Sequence, residues 1–131
     1  MSVQVNVQLA RALVAGRANS PVAPDIVLED HAQGTALRGP AAAQAFFHSF
    51  SADGLRSARI EERCLVADET AAAMEFVLHA RHTGVFAGMP PTGRAITLPV
   101  ALICQIADGQ VYRASLFYDA GTLLRQLGMA L

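Results

Sequence analysis

Asp119 closes a run of β-forming residues, Val111 to Tyr118, and stands immediately before Ala120-Gly121. Strand alternation puts it on the side of Phe117, Ser115 and Arg113. A carboxylate at the rim of an apolar surface has its charged form disfavoured, which raises its pKa toward the range useful for proton transfer. The same residue type also caps helices, and both roles are compatible at Asp119. Asp30 and His31 form a second candidate pair, at the end of an apolar run and before a Gly-containing bend. Two carboxylates in different environments allow one site to hold an acid and a base with separated pKa values. The plain alternative is a turn-forming Asp with a solvated His.

His79 and His82 are spaced H-x-x-H, which on a helix suits a metal, but on a strand puts the two rings on opposite faces. No metal and no cofactor are therefore expected. Met74, Phe76, Leu78, Ala80 and His82 form the alternation set that reads as an interior wall; His79 joins the interior only if the strand bulges. His48 reads as a surface residue of a helix, and Arg94 as half of a structural ion pair. Ser115 has no recognisable partners, so a serine hydrolase is unsupported. All 10 basic residues are Arg, which removes Schiff-base lysines, Walker-type lysines and Ser-Lys dyads.

The elements that must position these groups follow from periodicity. Val5, Leu9, Ala12, Leu13 and Ala15 recur at helical spacing, and Gly16 and the polar residues after it end the segment. Asp25 to His31 reads as a short strand. Pro40 suits a first helical turn, and Ala43, Phe46, Phe47 and Phe50 give the helix after it one apolar face. From residue 57 the pattern is that of an antiparallel meander, with strands at about 57–67, 71–83, 94–107 and 110–119. Asp108-Gly109 has the composition of a type I′ hairpin, and Thr83 to Arg94 is too rich in Gly and Pro for a central strand. Leu123, Leu124 and Leu127 mark a last short helix ending at Gly128.

Helices followed by a run of strands is an α+β pattern, here a curved antiparallel sheet packed on N-terminal helices. The expected form is a cone-shaped barrel, one domain over 1–131, whose open end takes a small apolar ligand. Phe46, Phe50, Met74, Phe76, His79, Phe86, Met89 and Phe117 are the candidate pocket residues.

Composition bounds the rest. With 53% hydrophobic and 16% charged residues the chain is not disordered, and a net charge of -1 without a basic stripe argues against nucleic acid. No apolar run is long enough to span a membrane, and no secretion signal is visible at the N-terminal end, so a cytoplasmic location is expected. Cys64 and Cys104, each within an apolar run, read as buried thiols, with a disulfide left open. A homodimer packed through the sheets is expected, since a sheet face around Ile96, Leu98, Val100 and Leu102 or their neighbours needs covering.

The loop T-G-x-F-x-G-x-P-P-T-G-R at Thr83 to Arg94, the strand and Asp-Gly hairpin after it, Tyr118-Asp119, and Gln126-Leu127-Gly128 together resemble the SnoaL-like polyketide cyclases of the nuclear-transport-factor-type fold. The resemblance covers most of the chain. A further similarity, to the ketosteroid isomerases, runs through Leu28-Glu29-Asp30 and Gly39-Pro40-Ala41-Ala42. The first resemblance implies cofactor-free intramolecular aldol closure of a small hydrophobic polyketide-like substrate, with Asp119 as acid and base and Asp30 or His31 orienting or sharing the proton. The isomerases hold their oxyanion with a Tyr on the first helix and a protonated acid on the penultimate strand. Here those elements offer Leu9 or Ala12 and Ala101 or Leu102, which argues against a steroid-isomerase reaction. Epoxide opening, a dehydrating ring closure, and a non-catalytic ligand-binding or dimerisation module are the alternatives in the same fold.

Overall fold

The computed structural model describes residues 2–16, 21–51, 55–85 and 88–129, the side chains of 49–51 and 55–58 excepted. Three helices and six strands follow one another as α1 (Val3–Val14), β1 (Val22–Asp30), β2 (Thr35–Arg38), α2 (Pro40–Ser51), β3 (Leu55–Ala67), β4 (Ala71–His82), β5 (Ala95–Ala107), β6 (Gln110–Phe117) and α3 (Ala120–Gln126). The four strands of the meander lie where the alternation predicts them. Asp108 and Gly109 both have positive φ, 53° and 71°, as a type I′ hairpin requires.

All strands belong to one sheet in the order β2-β1-β6-β5-β4-β3. Two expectations are corrected by this order. The sheet is not closed into a barrel: β2 and β3 are its free edges and do not pair. The reason lies in α2, which packs against β1 and β2 at one edge and β3 at the other, so a helix occupies the gap that strand pairing would have closed. The sheet is also not wholly antiparallel, because β1 runs parallel to β6, with Leu28 opposite Ala114 and Asp30 opposite Leu116. The short strand β2, antiparallel to β1, was not expected from the sequence.

Helices α1 and α2 cover the concave face of the sheet. Leu9, Ala10, Leu13 and Val14 of α1 and Ala43 and Phe47 of α2 meet Ile26, Leu28, Met74, Phe76, Leu78, Ile96, Leu98, Val100, Leu102, Ala114 and Leu116, all buried in one core. Ile96, Leu98, Val100 and Leu102 thus point inward, and their neighbours Ala95, Thr97, Pro99, Ala101 and Ile103 form the outer face. α1 is capped by Ser2, whose hydroxyl accepts from the Val5 amide at 3.1 Å, and its buried Asn6 donates to the Asp68 carbonyl at 2.8 Å.

Cys104 is buried as predicted, whereas Cys64 is exposed, and both thiols are free. A register shift between Glu62 and Cys64 sets Cys64 opposite Glu75 and so turns it to the outer face. Past the end of β6, the side chain of Gln126 takes over strand pairing on β5: its oxygen accepts from the Thr97 amide at 2.9 Å and its nitrogen donates to the Thr97 carbonyl at 2.8 Å. Gly128, at φ +86°, is packed so closely on the Arg94 guanidinium that an added Cβ would lie 2.7 Å from Nε. Arg94 is therefore held by packing against α3's end, where the sequence suggested an ion pair. No described helix is long and apolar enough to cross a membrane.

Phe47 is the largest fully buried side chain that α2 lays across the sheet. Phe47→Ala is expected to lower unfolding stability by about 3–5 kcal/mol, measured by urea denaturation; a loss below about 1 kcal/mol would show that α2 does not seat the sheet's two edges.

Candidate active site

The parallel pairing of β1 and β6 brings the C-terminal ends of both strands to the same place. Asp30 ends β1 and, by alternation, shares the buried face with Ile26 and Leu28. Across the sheet it lies in one row with Leu116, Leu102, Met74 and Leu65. Asp30 is 3% exposed, and the other residues of that row are all apolar. Burial of a carboxylate demands hydrogen-bond partners. Here the Gln33 backbone N–H donates to Oδ1 at 3.0 Å, and the Tyr118 hydroxyl donates to Oδ2 at 2.7 Å.

Tyr118 is two residues beyond Leu116 and continues its inward side. Its hydroxyl also accepts from Gln33 Nε2 at 2.8 Å, so Asp30, Tyr118 and Gln33 form a closed triangle of bonds. Burial first, and then the bond to Asp30, push the Tyr118 phenol well above its usual range, while the Gln33 bond pulls the other way. Tyr118 is accordingly a protonated donor over all ordinary pH values.

Asp119 points the opposite way. Its side chain is 68% exposed, Oδ1 accepts from the Gly121 amide at 3.0 Å, and Oδ2 accepts from the Thr122 hydroxyl at 2.7 Å. It is the N-cap of α3. The upward pKa expected for this residue is reversed: the Thr122 hydrogen bond above all, with the Gly121 and Thr122 amides and Arg125, holds the carboxyl below its ordinary value. The alternation that groups Asp119 with Phe117 is correct, but that side is the outer one.

His31 and Phe117 are also brought together outside. His31 is exposed and its ring stacks on Phe117 with centroids 4.4 Å apart and planes 4° from parallel. Phe117, expected in the pocket, is 42% exposed on the outer face because odd-numbered residues of β6 face away from the helices there. His79, likewise expected in the pocket, faces outward and bonds Glu61 at 2.8 Å, a contact that lowers the Glu61 carboxyl. The bulge that could have turned His79 inward falls in β3, not in β4.

Met74 and Phe76 are buried on the concave face, and Phe46 and Met89 are half-buried against the same core. The Phe50 side chain and Phe86 lie outside the described residues. His82 is fully buried and opposite in direction to His79, as alternation requires. Its Nδ1 accepts from the Thr92 amide at 3.3 Å and bonds the Thr92 hydroxyl at 3.0 Å, fastening the Gly- and Pro-rich loop to β4. An amide can only donate, so Nδ1 is the acceptor and Nε2 carries the proton. Among the described residues Nε2 has no hydrogen-bond partner, and no three metal-ligating side chains converge.

Tyr118, which the sequence offers only as part of a family motif, and Gln33 are not among the predicted site residues. For Tyr118 a signal existed: the alternation that sends Asp119 outward sends its neighbour inward. For Gln33 there was none, because its role depends on a turn conformation and on a partner 85 residues away.

A family model for SnoaL-like polyketide cyclases matches residues 10–127. No curated protein matches the chain. Among solved structures, the SnoaL-like protein of Jannaschia sp. CCS1 superposes with a TM-score of 0.83 at 20% identity, over 98% of this chain and 94% of that one. TsrD of Streptomyces laurentii gives 0.79 at 20% identity, over 99% of both chains. A protein of ketosteroid isomerase-like fold from Catenulispora acidiphila, solved with trimethylamine, gives 0.74 at 15% identity, over 99% of this chain and 96% of that one. At such identities the structural likeness is one of fold. The family match spans nearly the whole chain and includes both Asp30 and Tyr118, and by it the chain belongs to the SnoaL-like polyketide cyclase family.

Proposed function

We propose that the protein is a cofactor-independent cyclase or isomerase acting on a small hydrophobic carbonyl compound, with Asp30 as general base and acid and Tyr118 as the donor to the developing oxyanion. The observation that carries this reading is a buried aspartate, 3% exposed, that is hydrogen-bonded to a protonated phenol. Family membership supports the reaction class.

In this scheme Asp30 removes a proton from a carbon next to a substrate carbonyl. The electron pair left behind moves onto the carbonyl oxygen, where a donor matched to the enolate stabilises it more than the ground-state ketone. The enolate carbon then bonds to a second carbonyl carbon of the same molecule, and the alkoxide formed there takes back the proton from Asp30. The proton account closes and no electrons are gained or lost. An apolar enclosure strengthens each of these interactions by keeping water from screening them. Holding a flexible chain with its two reacting carbons in contact removes an entropic part of the barrier before chemistry begins. Met74, Phe76, Phe46 and Met89 are the apolar groups suited to that task.

A second reading has its own observation. Both Asp30 oxygens are already bonded within the protein, and the bond from the Gln33 amide is the kind that shapes a turn. A non-catalytic binding module would use Asp30 in this way alone. In either case a homodimer through the outer sheet face fits the molecule, where Ile103 and Phe117 are each 42% exposed beside small residues, and charges of both signs are paired at Glu29–Arg113 and Glu61–Arg63.

Proton exchange separates the two readings without knowledge of the natural substrate. With 2-tetralone in D2O, followed by proton NMR, the wild-type protein is expected to accelerate deuterium uptake at the α-carbons. Asp30→Asn should lower that rate by about 10²–10⁴-fold, the range for a general base, and Tyr118→Phe by about 10²-fold or more. No acceleration by the wild type would favour the binding module. Asp119→Ala should leave the exchange rate within about twofold of wild type while lowering the melting temperature through loss of the α3 cap. The cap's contribution is present while Asp119 is ionised and fades as the pH falls through its lowered folded-state pKa, so wild type and Asp119→Ala should converge in stability in strong acid. Ile103→Arg is expected to convert the dimer to monomer in sedimentation equilibrium; an unchanged mass would place the interface elsewhere.

A further inference from the structure

The turn between β1 and β2 supplies Asp30 with two bonds from one residue. Gln33 reaches Asp30 directly through its backbone N–H, and through its side chain it reaches the hydroxyl of Tyr118. The two bonds are separable, because any substitution at position 33 other than proline keeps the first and alters only the second.

The side-chain bond has a directional effect. Gln33 Nε2 is a donor, so it occupies a lone pair of the Tyr118 oxygen and keeps the phenolic proton from turning toward the solvent side. That proton is left to the Asp30 carboxylate, whose Oδ2 lies 2.7 Å from the phenol oxygen. Donation into a hydroxyl also strengthens the bond that hydroxyl makes in turn. We infer that Gln33 is a positioning residue, the fixed pivot of a hydroxyl switch in which the Tyr118 proton points to Asp30 before proton transfer and to the substrate oxyanion after it. This rests on the acid/base reading above.

The switch follows from charge. While Asp30 is a carboxylate it is the strongest acceptor within reach of the Tyr118 hydroxyl. Once Asp30 has taken the substrate proton it is neutral and a weaker acceptor, and the negative charge now sits on the enolate oxygen. The Tyr118 O–H bond rotates toward that charge without being broken. Gln33 Nε2 bonds the phenol oxygen in either orientation, so the oxygen stays in place while its hydrogen changes partner. The Gln33 side chain is on the exposed side of the turn, and its contact needs no rearrangement of the core. One hydroxyl can thereby serve the base in the ground state and the oxyanion in the transition state.

Two variants with opposite electrostatics test this. Gln33→Leu removes the donor; Gln33→Glu replaces it with an acceptor that competes with Asp30 for the phenolic proton. Exchange into 2-tetralone is expected to show kcat reduced by about three- to tenfold in Gln33→Leu, the worth of one neutral hydrogen bond. In Gln33→Glu the loss should be larger still at pH 7 and recover toward the Gln33→Leu level as the new carboxyl is protonated near pH 4. KM should stay within about twofold in both, and Tyr118→Phe should make both substitutions silent, since the pivot then has nothing to hold. The Tyr118 13Cζ resonance should move in both variants even without substrate. Equal kcat in all three proteins, or a loss carried by KM alone, or a fall in melting temperature that tracks the fall in rate, would overturn the inference. Asp30→Asn is run beside them: if it abolishes exchange while the Gln33 variants do not, only the pivot fails; if it too leaves exchange unchanged, the acid/base reading fails and the pivot with it.

Discussion

The candidate site depends on one pairing, that of β1 with β6. Parallel strands leave their ends side by side, and here the two ends are Asp30-His31 and Tyr118-Asp119. Had β1 paired antiparallel, Asp30 would have met the opposite end of β6, next to the Asp108-Gly109 hairpin. A parallel pair cannot be made by a tight turn, since it needs a crossover. The chain between Asp30 and Gln110 provides it, running through β2, α2 and three strands before it returns. The pairing is costly in loop-closure entropy and is secured by the core beneath it, where Leu28, Ala114 and Leu116 are all within 1% of complete burial.

From that pairing the division of labour between the two sides of the sheet follows. The inward residues of the two strand ends are Asp30 and Tyr118, and the outward ones are His31, Phe117 and Asp119. Each set is internally satisfied. Inside, a carboxylate removed from water is compensated by an amide and a phenol. Outside, a flat ring pair covers the strand end and a cap starts α3. Two acids, Asp30 and Asp119, thereby come to sit in different environments. One is buried and hydrogen-bonded by an amide and a phenol. The other is held ionised by the helix it caps, with water around it.

The open edges of the sheet are linked to the same arrangement. β2 is four residues long and β3 thirteen, so they could pair over only a short stretch if the sheet curled far enough to bring them together. α2 lies between them instead and contributes Phe47 to the core. A helix in that gap gives the concave side a wall of side chains, which a strand would have closed with backbone. Elsewhere the structure uses side chains as substitutes for backbone in a similar way, as where Gln126 pairs with Thr97 beyond the end of β6.

The sequence by itself determined the local features. Alternation located β3 to β6, the Asp-Gly pair set the I′ hairpin, apolar spacing gave α1 and α2, and the H-x-x-H spacing separated His79 from His82, because each of these depends on residues a few positions apart. The motifs of the Thr83 to Arg94 loop and the chain's end also carried its family. Tertiary structure alone decided which face of each strand is inside, and so which of the predicted residues could meet a ligand. The period of a strand gives two faces and does not label them, which is how Phe117 and Asp119 came to be expected inside and lie outside; His79 was expected inside only through a bulge that β4 does not make. It also decided the parallel pairing, the open edges, and the bulge that exposes Cys64, since all of these rest on contacts between residues far apart in the chain. The bond from Gln33 to Tyr118 spans 85 positions, and no pattern shorter than the fold could have shown it.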